Sequence, residues 1–348
     1  MTMRSGVSAG VLALTDRVLT QVEPRDALGL VGVTDSPGGG MVVSGTEALQ
    51  IAEYLRGRGY RQPLLVDRQR YKGKARCSAD HPLDPNWITR QRRLGLAAVL
   101  PDAGYVAEGN LNGLRHVLTA PAGIEGAVAV LALANWWLHG PGLRLLLSEV
   151  TDAQTPLALV IEHAGDPLGA RRILTGVLAL LGTGIPVIPL RCDISALGLI
   201  AHGALAAAFG SRSSLRHLYP IRDGGGSGGE RPESALWPVG LALHYRDLLH
   251  DAIATHPEAE SRWDCDCSVC GGRCLDRLDT ALVTEVRAHN TASILRLRTA
   301  LLDHPRQTRP GVWRSWAQRS QCEHQSVSTQ AVALKTPPAI LNWAHIPA

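Results

Sequence analysis

The chain has 348 residues, of which 45 % are apolar and 19 % charged, so it can bury a sizeable core and is not a disordered protein. Aromatic residues make up 4 %, with a single Phe at 209, so we expect a core built from Leu, Val, Ile and Ala. The 35 basic and 31 acidic residues give a net charge of +4, which permits a nucleic-acid partner but does not by itself indicate one. No apolar stretch has the length of a membrane span, so no membrane partner is expected.

The first two-thirds of the sequence alternate short apolar runs with longer segments of helical periodicity. The runs interpreted as strands are Ala27–Val33, Pro63–Asp67, Leu96–Asp102, Leu143–Val150, Leu157–His163, Ile185–Asp193 and Leu205–Gly210. Helices are predicted at Thr46–Gly57, Trp87–Leu94, Ile124–His139, Ala170–Gly182 and Ile194–Gly203. Strands separated by helices indicate right-handed βαβ units on a parallel sheet.

The number of these units favours a particular α/β architecture. Seven or eight strands within roughly 250 residues predict a closed (β/α)8 barrel, the TIM barrel. An open doubly wound sheet is the alternative. No Gly-x-Gly-x-x-Gly motif follows a strand, which argues against the dinucleotide-binding form of that alternative.

The cysteines are distributed unevenly. The crowded ones are Cys265, Cys267, Cys270 and Cys274, and the scattered ones are Cys77, Cys192 and Cys322. This is not the pattern of a secreted disulfide framework, and it indicates a cytoplasmic protein. A tight turn lets three thiols at i, i+2 and i+5 converge on one tetrahedral ion, with His289 or Cys274 as the fourth ligand. Four protein ligands make a closed, structural site, so we expect a structural Zn²⁺.

The sequence around this cluster divides the chain. Asp223–Pro232 is rich in Gly and Ser and predicts a flexible loop or linker. A strand and a helix are expected in Ala235–Ala254, before the cysteines. We therefore predict a barrel body at 1–254, a zinc-binding subdomain and helix at 255–304, and a closing helix and tail at 305–348.

The cysteine cluster and the helix after it resemble a known family. Cys265, Cys267 and Cys270, followed by the pair His289-Asn290 and the apolar helix Thr291–Leu302, are similar in order and chemistry to the zinc insertion of the tRNA-guanine transglycosylases. In that family the insertion comes late in a (β/α)8 barrel. The eighteen residues from 271 to 288 form a shorter gap than the family usually has. The resemblance extends over most of the chain in topology, but only this motif is specific.

The resemblance implies a purine base held by carboxylates at strand ends. Asp67 ends the segment that looks like the one carrying the family's acid/base Asp, although Asp-Ser-Gly-Gly is replaced here by Asp67–Tyr71 (DRQRY). Asp102 would then face the edge of the purine. The family's later nucleophilic Asp would fall within Ala204–Gly210, which offers only alanines at 206 to 208. Asp193, one strand earlier, is the nearest late carboxylate.

The residues themselves support a carboxylate site. Base exchange needs one carboxylate to attack the anomeric carbon and another to handle the proton of the departing base. Asp67, Asp102 and Asp193 each end an apolar run, and the carboxyl ends of barrel strands converge. For each of them the alternative is that it only caps the next helix. Glu162 is a fourth candidate of this kind.

A run of basic residues surrounds Asp67. Its members are Arg61, Arg68, Arg70, Lys72, Lys74 and Arg76. Such a run suits phosphate contacts on a polynucleotide, and the alternative is a solvated loop. Arg212 and Arg216 follow the last predicted strand, where they either help to hold a phosphate at a helix N-terminus or simply begin a helix.

Together these features predict an enzyme. We expect a pentosyltransferase that exchanges guanine for a 7-deazaguanine-type base in tRNA or DNA by an Asp-based double displacement. The divergent motifs favour a DNA-modifying or otherwise atypical branch. The alternative is a catalytically silent zinc-containing barrel that binds nucleic acid or a partner subunit. A metal-dependent hydrolase is disfavoured because the histidines are not clustered at strand ends. A homodimer and a complex with a partner subunit both stay open.

Overall fold

The computed structural model describes residues 7–221, 232–329 and 333–347, so nearly all of the predicted linker Asp223–Pro232 lies outside the described residues. The strands are β1 Arg17–Val22, β2 Met41–Ser44, β3 Leu64–Asp67, β4 Tyr105–Val106, β5 Ala129–Ala134, β6 Leu157–Glu162, β7 Val187–Pro189, β8 Ala206–Gly210, β9 Ser234–Trp237, β10 Ala242–Tyr245, β11 Asp264–Cys265 and β12 Arg273–Cys274. The helices are α1 Ala9–Leu12, α2 Pro24–Ala27, α3 Val31–Thr34, α4 Ala48–Gly57, α5 Pro85–Arg93, α6 Leu111–Thr119, α7 Gly140–Ala153, α8 Arg171–Gly182, α9 Ala196–Ala201, α10 Arg246–Thr255, α11 Glu260–Trp263, α12 Val283–Leu302, α13 Arg309–Ser326 and α14 Pro338–Ala344. None of the helices in these described stretches combines the length and the apolar character needed to cross a membrane.

The first eight strands form two parallel sheets in a mixed α/β structure. One sheet has the order β3-β2-β1-β8 and the other the order β4-β5-β6-β7. Ser44 at the end of β2 lies opposite Asp67 at the end of β3. Because all strands of a parallel sheet end at the same edge, the polar residues that follow them collect there.

Backbone hydrogen bonds also connect the two sheets to each other. Next to β7, Cys192 N donates to Ala208 O of β8 at 2.8 Å. At the other side, Ala97 N donates to Leu64 O of β3 at 3.3 Å. The chain that leads from β3 into β4 therefore pairs with the first sheet before it joins the second.

Several predicted elements are confirmed, among them Thr46–Gly57, Pro63–Asp67, Leu157–His163, Ala170–Gly182 and Leu205–Gly210, with shifts at their ends. The strand predicted at Leu143–Val150 is wrong, because these residues belong to α7. Gly142, Leu146 and Val150 are its buried positions, spaced four residues apart, and this is the helical period. Pro141, in the first turn, favours the start of that helix.

The helix predicted at Ile124–His139 is also wrong. Ala129–Ala134 is strand β5, and Asn135–Leu138 is a short 3-10 helix. Strand β5 lies between β4 and β6 and is buried on both faces, so its sequence shows no alternation of polar and apolar residues. A short apolar run of this kind cannot be assigned to helix or strand by its period alone.

Two further predictions differ from the structure near the first strands. Ala27–Val33 is helical, forming parts of α2 and α3 and a 3-10 turn between them. The sequence reading missed β1 and β2, whose residues are nearly all buried. Leu96–Asp102 forms an isolated parallel bridge at Val99, and the nearest strand, β4, begins at Tyr105.

The interior contains more tryptophan than the low aromatic content led us to expect. The tryptophans that are almost fully buried are Trp137, Trp237, Trp263, Trp313 and Trp343. Trp313 and Trp343 pack edge to face between α9, α13 and α14, with their ring centroids 6.2 Å apart. The C-terminal helices are therefore part of the main core. The predicted division at 254 and 304 stays a prediction.

We predict that Gly198→Ala in α9 lowers the stability of the protein. A β-carbon at Gly198 would lie 2.3 Å from Trp313 Nε1 and 2.7 Å from Trp343 Cε2, so both buried rings would have to move. Overpacking of this kind costs about 1–3 kcal/mol, which thermal unfolding would detect. Gly182→Ala is the matched control, because a β-carbon there meets nothing within 4 Å. An unchanged melting temperature for Gly198→Ala would contradict the packing described.

Two buried histidines make the fold sensitive to acid. His244 of β10 and His324 of α13 approach each other at 3.2 Å between their Nε2 atoms. His324 Nδ1 lies 2.8 Å from Ser320 O and must donate to it, so its Nε2 accepts the proton of His244. Burial, with a contribution from the charge of His324, lowers the pKa of His244 to about 3.

We predict that this pair lowers the free energy of unfolding as the pH falls from about 6.5, the ordinary histidine pKa, toward 3. In that range the unfolded chain binds a proton at His244 while the folded protein does not, so folding becomes less favourable. His244→Gln, measured by thermal unfolding between pH 7 and pH 4, should lose less stability over this range than wild type. The exposed His345→Gln is the control. Equal acid sensitivity of His244→Gln and wild type would refute the assignment.

Candidate functional site

Three thiols and one imidazole form a buried cluster. Cys265, Cys267, Cys270 and His289 each offer a ligand atom, and all four atoms lie within 4.8 Å of one another. His289 Nδ1 is 3.8 Å, 3.5 Å and 3.1 Å from the three sulfurs in chain order. Ligands at about 2.0–2.3 Å around a tetrahedral centre would have such separations. The cluster can hold a metal ion, and its three thiolates and one imidazole are consistent with zinc.

The local chain conformation explains why the thiols converge. Strands β11 and β12 form a short hairpin, and the turn between them contains Gly271 and Gly272, both with positive φ. Cys270 N donates to the sulfur of Cys267 at 3.4 Å, which folds the chain around that thiol. Cys274 lies beyond the turn, opposite Asp264, and is not among the clustered ligands.

A second layer of hydrogen bonds orients the histidine. His289 Nε2 donates to Leu236 O of β9 at 2.8 Å, which leaves Nδ1 free to face the sulfurs. The neighbouring Asn290 accepts from Leu236 N at 2.7 Å and donates to Ser234 O at 2.8 Å. The His-Asn pair therefore fastens helix α12 to the backbone of β9 while it presents the imidazole to the thiols.

The carboxyl ends of the parallel strands carry a second set of polar side chains. We call Asp67, Tyr71, Asp102, Glu162 and Arg191 the strand-end site. Asp67 is 3 % exposed and accepts hydrogen bonds from Tyr71 Oη at 2.6 Å, Gln21 Nε2 at 3.3 Å and Gln69 N at 3.0 Å. Burial raises the pKa of Asp67, and the hydrogen bonds from Tyr71 and Gln69 N together with the charge of Arg191 counteract this rise.

Asp102 is held by two arginines of the basic run. Its Oδ2 lies 3.2 Å from Arg68 Nη1 and 3.5 Å from Arg70 Nε. Burial raises the pKa of Asp102 to about 6, against the lowering effect of Arg70 and Arg68. The charge of Asp67 adds to the rise.

Glu162 is bound in the same way by Arg76 and Tyr105. Arg76 Nη1 and Tyr105 Oη each donate to one of its oxygens at 2.5 Å, and the guanidinium lies over the Tyr105 ring, 3.5 Å from its centre. Three of the six cations predicted to contact phosphate, Arg68, Arg70 and Arg76, thus pair with carboxylates of the protein itself. Lys72 and Lys74 are exposed.

Asp193 lies in a different group of side chains. Its Oδ1 accepts from Ile194 N at 2.6 Å, next to the start of α9. Burial of Asp166, together with the charge of Asp193, raises the pKa of Asp166, whose carboxylate accepts from Ser195 Oγ at 3.2 Å and Leu168 N at 2.9 Å. Asp193 and Asp166 line one small cavity, and neither Asp67 nor Asp102 lines it. Asp193 is therefore grouped with Asp166 and not with the other two predicted catalytic carboxylates.

Arg212 and Arg216 line a wide cavity beside the end of β8. The cavity has a volume of about 760 Å³, and Arg246 and Arg287 line it as well. Arg212 Nε lies 2.6 Å from Asp26 Oδ2. Arg216 is buried and donates to Gly210 O at 3.2 Å. The cavity is therefore rich in guanidinium groups, although part of their charge is balanced by carboxylates.

Some residues around Asp67 were not singled out from the sequence. Tyr71 lies four residues after Asp67, whereas Gln21 and Arg191 come near it because the ends of β1 and β7 lie close to the end of β3. The signal that was present is positional, since Arg191 follows β7 closely and Gln21 lies near the end of β1. In β8 the alanines at 206 to 208 are all buried.

We predict that Cys267→Ser abolishes metal binding and lowers the melting temperature strongly, because a structural metal site contributes directly to folding. Elemental analysis of the purified protein should find about one metal ion per wild-type chain and much less in the variant. Cys274→Ser is the matched control in the same hairpin and should keep the metal. Metal loss from Cys274→Ser, or a stable metal-free wild type, would contradict the ligand set.

Comparison of the chain with protein-family models and with curated proteins finds no match. Function therefore has to be inferred from the metal cluster and the strand-end site.

Proposed function

We propose that the two parallel sheets form one closed (β/α)8 barrel with a zinc-binding subdomain. The hydrogen bonds from Cys192 to β8 and from Ala97 to β3 support closure on both sides. Val99 N donates to Gly126 O and Val99 O accepts from Val128 N, both at 2.9 Å, which continues the pairing toward β5. Zinc is the ion that suits the buried Cys3His cluster, where it would fasten the hairpin to α12.

We further propose that the chain is a transglycosylase-like enzyme of the tRNA-guanine transglycosylase superfamily, which exchanges guanine for a 7-deazaguanine-type base in tRNA or DNA. The observation that carries this proposal is the pair Asp67 and Asp102. They are two buried carboxyl groups after consecutive apolar segments, the arginine that follows Asp67 in the chain binds Asp102, and burial raises the pKa of both. A carboxyl group with a raised pKa suits proton transfer to and from a base.

The proposed reaction has two balanced steps. A carboxylate forms a bond to the anomeric carbon while the bond from that carbon to guanine breaks, and guanine takes up a proton from an acid group. The incoming base then gives up a proton, its ring nitrogen bonds to the carbon, and the carboxylate is released. Asp67 handles the proton, Asp102 faces the N–H edge of the base, and Asp193 makes the attack, since β8 offers no carboxylate.

The cations around the strand ends support a polynucleotide substrate. Lys72 and Lys74 are exposed beside the strand-end site, and Arg68 and Arg70 are partly exposed. Arg212 and Arg216 line the cavity beside β8, at the same edge of the sheet. Since Arg68 and Arg70 pair with Asp102 and Arg212 pairs with Asp26, the exposed charges of Lys72 and Lys74 are the ones that favour phosphodiester groups beside the base that reacts.

A second candidate function is a catalytically silent barrel that binds nucleic acid or a partner subunit. It is favoured by the alanines at 206 to 208 and by the position of Asp193, whose side chain binds Ile194 N and neighbours Asp166 rather than Asp67. This candidate would keep the zinc site and the cationic surface but would have no exchange activity.

Incorporation of labelled guanine or 7-deazaguanine into tRNA and into duplex DNA tests the proposal. We expect wild type to label one of the two nucleic acids. Asp67→Asn and Asp102→Asn should each lower the rate by about 10²–10⁴-fold, because a group in proton transfer or base contact is lost, while metal content stays the same.

Asp84→Asn is the control for these variants. Asp84 shares Arg68 with Asp102 but caps helix α5, and asparagine caps a helix equally well, so its rate should stay near that of wild type. No labelling of either nucleic acid by metal-loaded wild type would refute the enzyme and favour the silent barrel.

A further inference from the structure

Tyr71 lies four residues after Asp67 and contacts it through its hydroxyl group. The hydroxyl donates to Asp67 Oδ2 at 2.6 Å, and the side chain of Arg191 in turn donates a hydrogen bond to Tyr71. A guanidinium has no acceptor, so the single proton of the Tyr71 hydroxyl has to point to the carboxyl group. Both hydrogen bonds therefore have a fixed direction, from Arg191 through Tyr71 to Asp67.

Arg191 provides a rigid origin for this chain of hydrogen bonds. Its Nε donates to His217 O at 3.2 Å, and its Nη2 donates to His217 O at 3.1 Å and also to Ser214 O. Arg191 and Tyr71 are each 1 % exposed, so water does not compete for their hydrogen bonds. The phenol is therefore held in one orientation toward Asp67.

Gln21 completes the network around Asp67. Its Nε2 donates to Asp67 Oδ2 at 3.3 Å and to Ser44 Oγ at 2.9 Å, while its Oε1 accepts from the backbone N of Arg191 at 2.6 Å. Gln21 lies in β1, Ser44 ends β2 and Asp67 ends β3. The network thus joins three neighbouring strands of one sheet to the segment that follows β7.

The two oxygens of Asp67 are used differently in this network. Oδ2 accepts from both Tyr71 and Gln21, whereas Oδ1 accepts, within the described residues, only from Gln69 N at 3.0 Å. A carboxylate oxygen has about two acceptor positions, so both positions of Oδ2 are filled and one position of Oδ1 stays open. A proton that Asp67 takes up or gives away is therefore carried by Oδ1.

We infer that Tyr71 is a positioning residue of the proposed exchange reaction, which fills Oδ2 of Asp67 and so makes Oδ1 the atom that carries the transferred proton. The inference rests on the proposed function, because that function gives Asp67 the proton of the base. Tyr71 acts through the carboxyl group, whose orientation it fixes and whose second oxygen it keeps out of the reaction.

The same hydrogen bond influences the ionisation of Asp67. Burial raises the pKa of Asp67, and the hydrogen bond from Tyr71 is the largest effect that opposes this rise, ahead of the positive charges of Arg191 and Lys72. Asp102 is the other carboxyl group that faces Asp67, since the charge of Asp67 raises its pKa. Removal of the Tyr71 hydroxyl should therefore raise the pKa of Asp67.

NMR of isotope-labelled aspartate carboxyl carbons in the full metal-loaded chain tests this directly, with Asp67→Asn to identify the resonance. Tyr71→Phe keeps the ring, and the pKa of Asp67 should rise by about one to two units, as loss of a hydrogen bond to a charged group would give. Tyr60→Phe is the matched control, because Tyr60 is buried and its hydroxyl donates to Thr34 O at 3.4 Å. It should leave the pKa of Asp67 unchanged. An unchanged pKa in Tyr71→Phe overturns the inference.

The pH profile of labelled-base incorporation tests the role in the reaction. Asp67 has to be protonated to act as the acid toward the departing guanine, so the rate should fall as the pH rises through its pKa. In Tyr71→Phe this fall should move to higher pH by the same amount as the pKa, while the KM for the nucleic acid stays the same. A rate that is lower at every pH, with no shift of the profile, would show a structural defect only and overturn the inference.

A measurement on wild type decides the question if Tyr71→Phe does not fold. One of the six tyrosine Cζ resonances should shift with the same midpoint as the Asp67 carboxyl carbon, and this shift should vanish in Asp67→Asn. Labelling of a nucleic acid without this coupled titration overturns the inference alone. A coupled titration in a metal-loaded wild type that labels neither tRNA nor duplex DNA overturns the proposed function.

Discussion

Burial of carboxyl groups at the ends of parallel strands requires compensating donors, and much of this molecule is arranged to supply them. A carboxylate removed from water without partners is too costly to keep its charge. Asp67 has a phenol, an amide and a backbone N–H, Asp102 has Arg68 and Arg70, and Glu162 has Arg76 and Tyr105. The segment after β3 therefore has to fold inward over the strand ends.

This requirement changes how the basic run is understood. From the sequence, cations at 61–76 indicate contacts with an external phosphate. In the structure three of those arginines neutralise internal carboxylates first, which leaves Arg61, Lys72 and Lys74 as the exposed charges. Arg191, just after β7, is bound instead by the backbone carbonyls of Ser214 and His217.

The metal cluster also needs partners that compensate its buried charge. Three buried thiols need a cation or protons, and the imidazole of His289 is aimed at them by a hydrogen bond to β9. Since β9 and β10 pack against α13 through His244 and His324, the cluster is connected to the C-terminal helices and through them to the main core. The two-stranded hairpins β9-β10 and β11-β12 would each have little stability without these connections.

The sequence by itself determined the local features. These features are short-range patterns in the chain. They include the spacing of Cys265, Cys267 and Cys270, the His-Asn pair on a helix, and the apolar runs that end in Asp67 or Glu162. The hydrophobic period alone gave the wrong assignment for β5, whose residues are buried on both faces, and for α7, a helix rich in leucine. Only the tertiary structure decided which side chains meet, because the contacts of Arg191 with Gln21 and of Arg76 with Glu162 join residues 170 and 86 positions apart. Such contacts follow from the order of strands in the sheets, and no pattern within a single segment encodes that order.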